Sequence, residues 1–467
     1  MPIKPLAAGL LLALGACTVG PDFKSPMPQA PAQAPFVSAD APLFAATEPP
    51  GRWWSLFGDQ RLDALVEEAL RANTDLRVAA ANLARARGAL REATRGRLPN
   101  VGANASVSYG RPSAQAMYMD EALATSETYD VGLDVNYQLD LFGRIRRAIE
   151  AGRADVEATQ AALDVARISV VAETSRAFAD VCGAGQQLAV ARRSLAVQQQ
   201  TFDLTRRQFE GGRGTALDTN QAGSLLDQTR AAIPTFEAQR QTALFRLAVL
   251  IGRPPASFPA EVADCTTPPA LSSALPVGDG ASLLARRPVI RAAERRLAAA
   301  TARIGVATAG LYPDIRIGGS VGSTSTSIGD LGSGSALRFG IGPLISWSLG
   351  NVTLARARIA QAEADAQAAL ATFDGTWLRA LEETESALTR YAGEQERVAT
   401  LSRARDQSGE AARIARLRYE AGRENFQIVL EAERSLAQTE AALAQARAQL
   451  STNLIALFLA LGGGWAS

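Results

Sequence analysis

One interruption, met twice, constrains this chain more than any other feature. In the stretch RLRYEAGRENFQIVLEAERSL, residues 416–436, two helical runs are broken only at Gly422-Arg423. A near copy, RRQFEGGRGTALDTNQA, is broken at Gly212-Arg213. Phe209 and Tyr419 stand 210 positions apart (419 minus 209), and the same offset pairs Gly212 with Gly422, Ala222 with Ala432, Leu226 with Leu436, Leu247 with Leu457 and Gly252 with Gly462. A constant offset without insertions marks a duplicated unit. The 467 residues are therefore two copies of one design.

The order of segments repeats as well. Residues 59–96 and the region before Gly310 are helical in pattern, and Arg77, Gly96, Pro99 and Ser106 recur as Arg291, Gly310, Pro313 and Ser320 at an offset of 214. Asp59 is placed to cap the first helix, which runs to about Gly96, and Leu98-Pro99 ends it. The period then changes from 3.6 to 2. Val101, Ala103, Ala105, Val107 and Tyr109 alternate with small polar residues, and Tyr129, Val131, Leu133, Val135, Tyr137 and Leu139 alternate with Asp130, Gly132, Asp134, Asn136 and Gln138. Third and fourth strands are predicted from Ile315 and from Leu337, with the Ser/Thr/Gly-rich residues 323–336 as a flexible loop. Proline-free residues 144–210 predict a helix about 100 Å long at 1.5 Å per residue. A return helix to about Ile251 contains Pro234, where a bend is expected. The second copy has its long helix from about Asn351 to Ala421 and its return from Glu424 to Leu461, with Leu436, Leu443, Leu450 and Leu457 at heptad spacing.

Composition removes whole classes of function. With no histidine there is no Ser-His-Asp or Cys-His pair and no His-ligated metal, and without Gly-Lys-Ser/Thr there is no P-loop. A net charge of +1 points to no nucleic-acid surface. Gly318-Gly319-Ser320-Val321-Gly322 fits the G-x-S-x-G pattern, but that elbow needs a strand-to-helix turn and a His partner. Adjacent acids such as Glu67-Glu68 and Glu382-Glu383 splay apart on a helix and read as solvated faces. No enzyme is expected.

The N-terminus carries an address. Lys4, the short apolar run from Leu6 to Leu14 and the sequence Leu14-Gly15-Ala16-Cys17 read as a signal peptide with a lipobox, so Cys17 is expected to become the lipidated first residue. That lipid is the only covalent group expected; no cofactor and no metal are. Cys182 lies in a helical run and Cys265 in a proline-rich linker; an oxidising periplasm would permit a disulfide between them, but the sequence cannot place their Cα atoms together, and two free or buried thiols is the preferred reading. The resulting division is a signal peptide at 1–16, a lipidated linker at 17–58, a first repeat at 59–251, a proline-rich linker at 252–281, a second repeat at 282–461 and a tail at 462–467.

Each strand has the length that crosses a bilayer when tilted, and Tyr109, Tyr129, Tyr137 and Trp347 are aromatics of the kind found in interfacial girdles. Four strands cannot close, and open edges are not tolerated in lipid. The barrel must be shared between copies. Eight strands are filled by their own side chains, whereas the twelve of a trimer leave a lumen. The fold class expected is thus an α+β membrane protein: four transmembrane strands per subunit in a trimeric twelve-stranded barrel, continued by a long periplasmic helical barrel.

The assembled residues resemble the TolC-like outer-membrane factor family, in its lipoprotein branch. The resemblance rests on LGACTVGPDF, Trp53-Trp54 with Phe57, LDLFGRI at 139–145, Arg286-Arg287-Pro288, Arg303-Ile304-Gly305, Tyr312-Pro313, Gly342-Pro343 with Ser346-Trp347, and LALGGGW at 459–465. It implies a homotrimeric export tunnel in the outer membrane, engaged at its periplasmic end by an adaptor protein and an inner-membrane resistance-nodulation-division pump. It also implies a periplasmic constriction, whose Leu-Asp-Ala-Gln-Arg pattern matches Leu430-Glu431-Ala432-Glu433-Arg434. By this resemblance Glu431 and Arg434 are gate residues, Gln427 replaces the hydrophobic residue one turn earlier, and Asp218 occupies the equivalent region of the first copy. The turns at Gly211, Gly212 and Arg213 and at Gly422 and Arg423 become adaptor-docking tips. The residues alone also allow a plain solvated pair at Glu431 and Arg434, and a periplasmic coiled-coil scaffold, or an exporter of protein, metal or other solutes, in place of a drug conduit.

Overall fold

The computed structural model describes residues 18–27, 30–39, 42–111, 113–115, 118, 120–122, 124–271, 273–347 and 352–463. Cys17 and the signal peptide, as well as Gly464 and Trp465, lie outside the described residues. The helices are α1 (Gln60–Ala72), α2 (Thr74–Arg95), α3 (Arg144–Glu210), α4 (Ala216–Leu250), α5 (Gly280–Arg286), α6 (Pro288–Thr308), α7 (Val352–Glu420) and α8 (Phe426–Ala460). Four long strands, β1 (Asn100–Gly110), β2 (Ser126–Leu139), β3 (Asp314–Ser325) and β4 (Leu337–Ser346), form one antiparallel sheet in that order. By packing, the described residues divide into two units, one within 18–26, 83–159 and 292–373, the other within 27–82, 160–291 and 374–463.

The first unit holds the sheet. Its register sets Val101 opposite Val135, Leu133 opposite Val321 and Val321 opposite Phe339. One residue along, Gly102 faces Asp134, Asp134 faces Ser320 and Ser320 faces Gly340. Because side chains alternate with period 2, this register gathers most apolar residues on one face and most polar residues on the other, with Leu344 opposite Arg316 and Glu127 opposite Tyr109 as exceptions near the strand ends. The apolar face is bare in the single chain, with Phe339 83% and Ile341 84% exposed. Below the sheet, Asp140 accepts from the backbone N–H groups of Ile145 and Arg146 and so starts α3, while Phe142 stacks on Tyr312 with ring centroids 4.4 Å apart. Residues 323–336, expected as a flexible loop, are instead tied by a Thr324 N–H to Ala336 carbonyl bond of 2.9 Å and by turns at Ser333 and Ala336.

In the second unit, aromatic mass near the start of the chain becomes core. Trp53 is fully buried and stacks on Phe458 at 4.8 Å, with Phe57 edge-on to both. Asp59 caps α1 by accepting from the Arg61 N–H at 2.9 Å, as its position in the sequence predicts. The single helix expected from 59 to 96 is broken at Asn73, which is 3% exposed. Its side-chain oxygen accepts from the N–H groups of Asp75 and Leu76 while its amide donates to the Leu250 carbonyl, so one residue ends α1 and starts α2. The helix α4 passes through Pro234 as one continuous element. Residues 30–39 are not a free linker, since the N–H groups of Val37 and Ser38 both donate to the Glu385 carboxylate.

The reading of Cys182 and Cys265 as separate thiols is overturned. They form a disulfide, with Cα atoms 4.6 Å apart across 83 positions. The linker carrying Cys265 folds back onto α3 at a glycine, where a Cβ on Gly185 would lie 2.0 Å from the Cys265 carbonyl oxygen. Non-local packing makes the pairing, and sequence distance hides it.

Candidate functional site

Two hairpins, α3–α4 and α7–α8, end in turns of the same construction. In the first, Gly212 has φ +69°, and the N–H groups of Gly212 and Arg213 donate to the carbonyls of Phe209 and Gln208. In the second, Gly422 has φ +66°, and the N–H groups of Gly422 and Arg423 donate to Tyr419 and Arg418. Each turn is a left-handed helix stop that glycine adopts without steric cost. Gly211 completes the first turn by donating to Arg207, and a Cβ on Gly212 or Gly422 would meet nothing within 4 Å. Arg213 and Arg423 are exposed at the two apices.

The next helices start alike. Thr215 caps α4 and Asn425 caps α8, again 210 apart (425 minus 215). Asp218, matched by resemblance to the constriction, is held in a capping box: it accepts from the Thr215 hydroxyl at 2.7 Å and from the Thr215 N–H at 3.2 Å, while its own N–H donates to the Thr215 hydroxyl at 3.2 Å. Its carboxylate thus has a local structural task. Its charge also reaches the second hairpin, where burial first and Asp218 second push the Tyr419 phenol above its ordinary value. Tyr419 in turn donates to the Gln208 side chain, and the Gln427 amide donates to Gln221, so polar side chains bridge the hairpins at two levels.

Glu431 and Arg434 lie on the exposed side of α8, away from its buried stripe. Their separation is 3.4 Å, and their side chains are 74% and 46% exposed. In one chain this is the weak surface pair that helix spacing allows. The residue between them does far more. Phe426, Val429, Leu430 and Glu433 fall on one face at i, i+3, i+4 and i+7, and all four are buried. Glu433, 1% exposed, accepts from Arg416 at 2.7 and 3.2 Å and from the Thr201 hydroxyl at 2.9 and 3.0 Å. It joins α3, α7 and α8 above an apolar cluster of Ala222, Leu225, Ala415, Phe426, Val429 and Leu430. The apolar stripe in the sequence contains the signal for its burial, which a search for exposed charge pairs passes over.

A second arrangement lies on the polar face of the sheet. Asp130 accepts from Arg338 at 2.7 and 2.8 Å, from Thr324 at 2.6 Å and from Asn104 at 2.9 Å, which links all four strands. The glycines of this face make room for that cluster. A Cβ on Gly322 would approach the Arg338 guanidinium carbon to 3.2 Å, and one on Gly102 would approach Asp134 to 2.8 Å. Gly318–Gly322, the would-be nucleophile elbow, runs wholly within β3.

A sheet with one bare apolar face and one polar face, carried with paired helical hairpins that end in matching glycine turns, defines an outer-membrane channel protein. The chain belongs to the outer membrane efflux protein family, whose sequence profile matches residues 65–253 and 281–463, once in each repeat. It is similar to outer membrane protein OprJ of Pseudomonas aeruginosa, at 32% identity over 457 residues covering 98% of this chain and 95% of OprJ. Nodulation protein T of Rhizobium leguminosarum bv. trifolii is 29% identical over 459 residues, covering 97% of this chain and 96% of that protein. Among solved structures, the outer-membrane channel OprN superposes with a TM-score of 0.91 at 38% identity, covering 96% of this chain and all of that one. Membership places the protein in the bacterial outer membrane, with a large periplasmic part.

Proposed function

We propose that this protein is a passive trimeric conduit that exports drugs or other small toxic compounds through the outer membrane. The observation that supports it most directly is the sheet: its apolar rows form one continuous exposed face, and β1 and β4 are each paired on one side only. Among the described residues no helix is long and apolar enough to cross a membrane. Three copies supply twelve strands, enough to close the edges around a lumen lined by the polar face. Glu431, Arg434 and Gln427 act as the periplasmic gate, with Asp218 beside them. The apices at Gly211–Arg213 and Gly422–Arg423 receive an adaptor protein, which couples the conduit to an inner-membrane resistance-nodulation-division pump. A lipid on Cys17 anchors each subunit. Export energy comes from the pump, and so does cargo selection, because a lumen face of Gly, Ser and Asn discriminates little.

Purified protein reconstituted in planar bilayers tests this reading. Stepwise conductance is expected, larger after Glu431→Ala and Arg434→Ala, together with a mass of three chains by native mass spectrometry. Absence of conductance even in the double variant would reject the conduit in favour of a scaffold lipoprotein.

A further inference from the structure

The start of the described chain is held more tightly than a tether needs. In the first unit, Arg147 is a buried arginine, 4% exposed, whose guanidinium donates to the Val19 carbonyl at 3.2 Å, the Gly20 carbonyl at 3.1 Å, the Asp22 carboxylate at 2.7 Å and Glu150 at 2.8 Å. Three of those four acceptors belong to residues 19–22. Without that segment a buried guanidinium would keep only Glu150, an arrangement folded proteins avoid. The neighbouring Arg146 donates to the Thr18 hydroxyl at 2.8 Å, and the Val19 N–H donates to the Phe142 carbonyl at 3.3 Å.

Glycines mark where the segment passes. A Cβ on Gly143, which has φ +77°, would lie 2.6 Å from Thr18 Cγ2; one on Gly305 would lie 2.7 Å from Arg147 Cγ and 2.9 Å from the Val19 carbonyl oxygen. On the segment itself, a Cβ on Gly20, at φ +89°, would lie 2.4 Å from Gly305 Cα. Beyond it Phe23 packs on Ala154, Ala298 and Ala299 under the Arg295 guanidinium, and Ser25 donates to Glu294 at 2.6 Å. Both sides of the contact are shaped for it.

We propose that Gly143, Arg146, Arg147 and Gly305 form a receptor site for the chain's own segment Thr18–Asp22. This site fixes where the N-terminus leaves the body, beside the junction of β2 and α3. Arg147 is its positioning residue. The second step rests on the lipoprotein reading above: a lipid carried one residue before Thr18 is then presented at a set place on the protein instead of at the end of a free tether.

The sequence supplies its own probe. Lys4 and Lys24 are the only lysines, so in a chain processed before Cys17 a lysine-specific protease can cut only after Lys24. Lys24 is exposed, but cleavage requires the surrounding residues to leave their site. The full chain in detergent is expected to be cut at least about tenfold more slowly than a free peptide of residues 18–30. Arg147→Ala should lose most of that protection and be cut about tenfold faster than wild type, with the oligomer and circular dichroism unchanged. Gly20→Ala, which disturbs the segment and leaves Arg147 intact, should act in the same direction. Cleavage of the wild-type chain as fast as the peptide would overturn the proposal, as would wild-type rates in both variants. The mass of the released peptide reports separately whether Cys17 carries lipid, so failure of the lipoprotein reading and failure of the receptor site are distinguishable.

Discussion

Replacing Arg416 with methionine removes the cation that meets the Glu433 carboxylate, a group of 1% exposure. Glu433 would keep Thr201 as donor, at 2.9 and 3.0 Å, but its charge would be uncompensated in an apolar surround. Breaking a buried pair in this way costs about 3–5 kcal/mol. The converse change is milder, because Arg416 is 34% exposed and can turn to water. Glu433→Leu should therefore be near neutral or stabilising, since it completes the stripe of Phe426, Val429 and Leu430. Thr201→Val removes one hydrogen bond to a charged group and falls between, at about 1.5–3 kcal/mol. Hydrogen exchange of the amides around 429–434, measured on the full chain in detergent, reads these costs locally. Arg416→Met should speed exchange roughly a hundredfold or more, given 1.4 kcal/mol per tenfold. The double variant with Glu433→Leu should return most of that loss. Exchange in Arg416→Met within threefold of wild type would refute the reasoning, and so would additive behaviour of the two changes.

Other perturbations follow from single contacts. Reduction of Cys182–Cys265, or its replacement by alanines, opens a loop of 83 positions and should cost up to about 4.5 kcal/mol on the chain-entropy relation, read as a fall in thermal midpoint; unreduced protein should show no labelling of either thiol. Gly422→Val or Gly212→Val should cost about 1–2 kcal/mol from the left-handed backbone alone, because no atom lies within 4 Å of the added Cβ; trimers should persist while capture by the cognate adaptor weakens, and undiminished capture would remove the docking role. Asp59→Ala should destabilise α1 by about 1 kcal/mol. The Arg61 side chain first, and its backbone N–H with it, hold Asp59 below its ordinary 3.8, so this stabilisation is complete above pH 3.8 and is lost as pH falls through the lower folded value; the acid arm of a tryptophan-fluorescence titration should flatten in the variant.

Much of the fold was legible because its signals are local. The proline-free run predicted at 144–210 is α3, and the Gly-Arg breaks are the two hairpin turns. Strand alternation gave the faces of the sheet correctly, since a register error of one residue would have put Val101 among the polar rows. What failed was non-local or double in meaning. Asn73 sits in an unbroken helical pattern, and only its bond to Leu250 marks it as a stop. The disulfide depends on how residues 252–281 fold back. On α8 the resemblance directed attention to Glu431 and Arg434, and the buried Glu433, on the apolar stripe between them, was passed over. The docking of residues 18–25 had no sequence signal except its glycines, whose partners lie more than a hundred positions away.

The sheet consists of two local hairpins, β1–β2 and β3–β4, joined only at the β2–β3 seam, where Leu139 meets Ile315 and Tyr129 meets Ser325. Leu139 precedes its partner by 176 positions (315 minus 139). At a synthesis rate of about 5–20 residues per second, the first hairpin waits roughly ten to forty seconds before the second exists to receive it. During that interval an apolar hairpin with open edges is a template for pairing with the wrong strand, including its own twin on a neighbouring nascent chain. Strand order thus builds in a delay, and a holding factor that masks β1 and β2 while it lasts is expected to raise the yield of folded protein.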